Sequence, residues 1–176
     1  MDESAPIDRL ISNRNTIINL TSDLSEDHFH KKPEETAWSI SEILTHLNMA
    51  ETLLLEGLKK TISKESRMPW IKRYFFPMWL LVRFSFIKLK APTFVLPQNV
   101  TQSSKNSLLD KYNKTRDELL LLANENKDRL RKGYVNHPIL GIIDGKQALD
   151  FVGYHELRHI DQIERTLKKI LPSTCT

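Results

Sequence analysis

Four stretches of this chain repeat apolar residues every three or four positions, with proline, glycine or small polar residues between them. Such a pattern buries one stripe of each stretch, and no alternation of period two competes with it, so the expected fold class is all-α. The first stretch runs from about Ile7 to Leu24, with Ile7, Leu10, Ile11, Ile18 and Leu24 near one face, and Pro33 closes the connection that follows. The second opens at Ser39, three residues before Glu42 as a capping box requires, and carries the stripe Ile43, Leu47, Ala50, Leu54, Leu58. A third is expected from about Thr101 to Arg131, with Leu108, Tyr112, Leu119 and Ala123 inward. The fourth opens after Asp144, an N-cap with Gln147 three residues on, and ends at Leu171 before Pro172. Four amphipathic helices of similar length pack most simply as a four-helix bundle, whose interior is a usual place for metal or cofactor sites.

At 176 residues the chain is expected to form a single domain, 1–176, that buries its core without disulfides. Its only cysteine, Cys175, lies beside the C-terminus, so no disulfide framework exists and a catalytic thiol is disfavoured. The N-terminus MDESAPIDRLIS has neither the charged nor the apolar region of a signal peptide. Both features point to a cytoplasmic location.

Residues 64–99 break the helical pattern. This aromatic-rich run is interrupted by Pro69, Pro77, Pro92 and Pro97 and is read as a long crossover, with a short helix, between helices two and three. Its uncharged core, Tyr74 to Val82, is too short for a transmembrane span, which takes roughly 20 apolar residues. The charge is concentrated nearby. Nine cationic residues between Lys59 and Lys90 face one acid, Glu65, so that segment carries +8 and the rest of the chain −4.

On a 3.6-residue wheel of the fourth helix, His155 and His159 share a face with Ala148, Val152, Ile163 and Ile170. Their i, i+4 spacing puts them one turn apart, within reach of one ion. His46 takes the same place on the second helix, between Ile43, Leu47 and Ala50. Any one of these could be a hydrogen-bonded core histidine. Three imidazoles in apolar stripes need three sets of partners, and one divalent ion satisfies them together. Three protein ligands also leave positions open for water or substrate, the pattern of catalytic zinc.

HELRH fits H-E-x-x-H, in which the glutamate, here Glu156, is a general base. The longer metalloprotease form fails, because Gln162 and Arg165 stand where it needs glycine and histidine. Glu156 is therefore either a base beside the ion or a solvated carboxylate, the second reading weighing more. His28 and His30 are expected exposed in a connection, and His137 in the turn before helix four.

The segments WSISEILTHL from Trp38 to Leu47, HPILG from His137 to Gly141 and FVGYHELRHIDQI from Phe151 to Ile163 occur in that order. Together they resemble the marked segments of the DinB-like, or YfiT-like, superfamily, over essentially the whole chain. The resemblance implies a four-helix bundle with a divalent metal on His46, His155 and His159, and places Arg158 and Gln162 as supporting or packing residues. It further implies thiol-dependent S-transferases, using small thiols such as bacillithiol or mycothiol, or metal-dependent hydrolases. DNA binding is not implied, and a homodimer is compatible.

The leading expectation is thus a metal-dependent enzyme acting on a small molecule, most plausibly a thiol S-transferase, with zinc as the ion and nickel, copper or iron also suited to imidazole ligation. A hydrolase using metal-bound water is the alternative. A non-enzymatic module binding lipid or nucleic acid through segment 64–90 is the third.

Overall fold

The computed structural model describes residues 5–63, 103–137 and 140–171. The proline-broken crossover, its basic aromatic core, Cys175 and the Pro138–Ile139 part of the HPILG segment lie outside them. Helix α1 spans Ala5–Thr21, the short α2 Glu26–His30 and α3 Ile40–Ser63. After the crossover come α4, Lys105–Glu125, and α5, Lys127–Lys132. Strands β1, Tyr134–His137, and β2, Gly141–Asp144, precede α6, Gly145–Ile170. α1, α3, α4 and α6 form the four-helix bundle, with α1 against α6 and α3 against α4. No helix among the described residues is long and apolar enough to cross a membrane.

The helix starts follow from their capping residues. The Ser39 N–H donates to Glu42 at 2.8 Å, while the Glu42 N–H donates to the Ser39 hydroxyl at 3.2 Å. Asp144 and Gln147 repeat this reciprocal box at α6, at 2.8 and 3.0 Å. Each box satisfies backbone donors that have no intrahelical partner.

Three elements depart from expectation, the first being α2, which stands in what was expected to be a connection. The third helix is not continuous to Arg131. It breaks at Asn126, and α5 follows as a separate short helix ending at Gly133. Next stands an antiparallel hairpin pairing Tyr134 with Asp144 and His137 with Gly141. Strands of four residues are too short to display period-two patterning, which is why sequence reading missed them. Gly141 takes φ +70°, open to glycine at little steric expense. Gly145 is required for another reason: a Cβ there would stand 2.8 Å from the Leu130 carbonyl oxygen.

The apolar core falls into two clusters along the bundle. One contains Leu10, Leu54, Leu58, Leu119, Ala148 and Val152. The other contains Ile17, Ile43, Leu47, Tyr112, Ile160 and Ile163. Between them each long helix contributes a buried polar side chain: Asn13 from α1, Glu51 from α3, Arg116 from α4 and Glu156 from α6. On α1 the inward face also differs from the expected stripe, since Ile17 is fully buried while Ile11 is 37% exposed and Ile18 half-buried.

Candidate metal centre

His46 on α3 meets His155 and His159 on α6 beside the polar layer. The Nε2 atom of His155 lies 3.3 Å from that of His46 and 3.2 Å from that of His159. One ligand atom from each residue falls within 4.8 Å of the others, and among the described residues this is the group that could hold a metal ion. His46 and His159 are buried and His155 half-buried.

These two separations are also those of nitrogens sharing one ion. Metal–nitrogen bonds of about 2.0–2.1 Å at a tetrahedral angle set ligand nitrogens about 3.3 Å apart. The proton of His159, moreover, is engaged elsewhere. Nδ1 of His159 lies 2.9 Å from Oε1 of Gln162, an acceptor, so a neutral ring carries its proton on Nδ1 and directs the Nε2 lone pair at the other two imidazoles. Replacing Gln162 with leucine removes this constraint and is expected to weaken metal affinity about 10–100-fold with the fold intact. Competition with a chromophoric chelator measures it.

Burial, followed by the neighbouring histidines, pushes the His155 ring well below the usual imidazole range. Burial and then His46 push His159 down to about 3. Both rings are therefore neutral near pH 7, as ligation requires. In the unfolded chain a histidine takes its proton near about 6.5. Between that value and about 3 the unfolded chain binds more protons than the fold, so acid favours unfolding. The metal-free protein is expected to lose stability progressively as pH falls below about 6.5, seen as a lower melting temperature at pH 5 than at pH 7 in chelator.

Glu156 is neither solvated nor turned to the ion; it is 1% exposed, which corrects the preferred sequence reading. Its Oε1 accepts from the Tyr112 hydroxyl at 2.8 Å and from the Arg116 guanidinium, and its Oε2 from the Asn13 amide at 3.2 Å. Arg116 also grips Glu51 through two bonds, at 2.6 and 3.0 Å, and donates to the Leu10 carbonyl. Burial raises the Glu51 carboxyl against the pull of Arg116, and burial raises the Tyr112 hydroxyl likewise. For Arg116 burial acts downward, but Glu156 and Glu51 outweigh it and hold the guanidinium charged.

His137, expected in a turn, sits on β1, accepts the Leu140 N–H at Nδ1 and meets Phe151 with ring centroids 4.5 Å apart. Folding thus brings it near the site, though not into the ligand group. His28 and His30 are half-buried on α2, not exposed, and lie outside that group too. His30 bonds the Ser41 hydroxyl at 3.0 Å. Sequence reading did not single out Trp38 or Phe151, whose rings lie against the histidines. Phe151 stands one turn before His155, a position that the wheel could have flagged, whereas Trp38 precedes the α3 cap and lies on no wheel.

Fold and site together define a four-helix bundle with an interior three-histidine metal-binding group. The sequence profile of the DinB superfamily matches residues 9–163, and the chain belongs to that family. It is 27% identical over 153 residues to YuaE of Bacillus subtilis (strain 168), covering 84% of this chain and 88% of that one. In structure it resembles YfiT from Bacillus subtilis, described as a probable metal-dependent hydrolase with an unusual four-helix bundle topology. The TM-score is 0.65 at 13% identity, covering 95% of this chain and 86% of that one. TT2238, described as a four-helix bundle protein, superposes with a TM-score of 0.62 at 15% identity, covering 93% and 99%.

Proposed function

We propose that this chain is a metal-dependent S-transferase, holding zinc through His46, His155 and His159 and joining a small thiol to an electrophile. The observation that carries transfer over hydrolysis is the placement of Glu156. The carboxylate that an H-E-x-x-H reading would use as base has both oxygens engaged in the Arg116–Tyr112–Asn13 cluster. Among the described residues no carboxylate joins the three histidines. A bound divalent ion supplies the acidity that lowers a thiol's pKa. Imidazole ligands bring no negative charge to offset it, Gln162 fixes one of them, and the exposed Arg158 beside His159 adds positive potential for an anionic thiol. The thiol proton passes to solvent. The thiolate sulfur then forms a bond to the electrophilic carbon as the bond to the leaving group breaks, the leaving group departing with that electron pair.

The test is a cobalt-substituted protein titrated with small thiols. A new near-ultraviolet sulfur-to-cobalt absorption, saturable and lost in His46→Ala, is expected. A spectrum indifferent to thiols, in a protein that hydrolyses ester or amide substrates, would favour the second reading. That reading, a metal-dependent hydrolase, draws its support from the description of YfiT.

A further inference from the structure

Two aromatic rings lie along the outside of the three histidines. The Trp38 indole is stacked within 7° of the His159 imidazole, centroids 6.3 Å apart, and lies 5.1 Å from His46. Phe151 is within 12° of parallel to His155 at 5.8 Å. His137, delivered by the hairpin, meets the Phe151 ring at 64° and braces it. Trp38 and Phe151 are both half-buried, so each shows part of its surface to solvent while packing on imidazole and on the neighbouring apolar core with the rest. His155 is the least buried of the three, and Phe151 is the ring set parallel to it.

Such rings give a specific selectivity. Sites for small molecules are mostly apolar, with a few polar groups fixing orientation. Here a bound ion would be the polar group, and Trp38 and Phe151 supply aromatic apolar surface beside the histidines that would hold it. Aromatic faces favour offset-stacked or edge-on contact with another flat ring, beyond what apolar area alone contributes. An aliphatic group of similar size gains only the area.

We infer that Trp38 and Phe151 are specificity-determining walls of the site, and that they select a small molecule carrying a flat apolar group, aromatic or conjugated, next to the atom that meets the ion. This inference rests on the open metal centre proposed above. It holds for either chemistry at that centre.

The experiment uses the metal-loaded full chain and two chelating probes, benzohydroxamate and acetohydroxamate, which share one metal-binding group and differ by a phenyl ring. Binding is read by calorimetry, with metal content measured for every sample. The native protein is expected to prefer benzohydroxamate by about tenfold. Trp38→Leu and Phe151→Leu, which keep an apolar side chain without the ring, should each reduce that preference several-fold in protein that still carries its metal. Equal affinity for the two probes, or a preference untouched by both variants, overturns the inference and leaves the metal centre standing. Failure of both probes to bind the loaded native protein overturns the open metal centre, and the inference with it.

Discussion

Alanine at both His155 and His159 is expected to take the protein from about one equivalent of bound divalent metal to a trace, a loss in affinity of more than about a hundredfold. Two of the three convergent Nε2 atoms disappear, and His46 alone cannot hold an ion against water. The helix should survive the change, because alanine is the best helix former and the α6 capping box is untouched. Plasma mass spectrometry on protein purified without a histidine tag measures the metal, and circular dichroism checks the helices. Retention of full metal content would move the site elsewhere. Loss in His46→Ala as well shows that the ion bridges α3 and α6.

Methionine at Arg116 is expected to have the largest effect on stability, about 3–5 kcal/mol, with a melting temperature lower by about 10 °C. The guanidinium is wholly buried and joins Glu51, Glu156 and the Leu10 carbonyl. Removing it strands two carboxylates in the bundle interior without their cation, far worse than removing all three charges. The triple variant Arg116→Met/Glu51→Leu/Glu156→Leu should therefore recover most of the lost stability. Chemical denaturation of the three proteins decides it. A triple variant as unstable as the single one would mean that packing, not stranded charge, sets the loss.

This polar layer also marks where the sequence stopped being readable. The stripes Ile43–Leu47–Ala50–Leu54–Leu58 and Leu108–Tyr112–Leu119–Ala123 were legible because periodicity reports which apolar residues face inward, and all but the half-buried Ala50 are buried. The reciprocal caps at Ser39 and Asp144 were legible because the chemistry is local. The same periodicity also brought His46, His155 and His159 together. Asn13, Glu51, Arg116 and Glu156 occupy inward positions too, but a charged residue on a stripe reads as a break in it. Only its partners, 40 to 143 residues away, show that it belongs inside. Glu156 was misjudged for that reason: its partners, not its place on the wheel, decide whether it is wet. The β1–β2 hairpin was invisible through brevity, and with it the approach of His137 to Phe151.

The pairing of α1 with α6 has a consequence for biosynthesis. His46 is made 109 residues before His155, and α6, the partner of α1, follows the other described helices along the chain. At roughly 5–20 residues per second, the nascent chain carries one ligand and half a polar layer for several seconds or more. An ion that arrives in that interval finds a single imidazole and leaves again. Loading must wait until α6 docks, so a bound ion would mark chains in which α6 has already packed against α1 and α3.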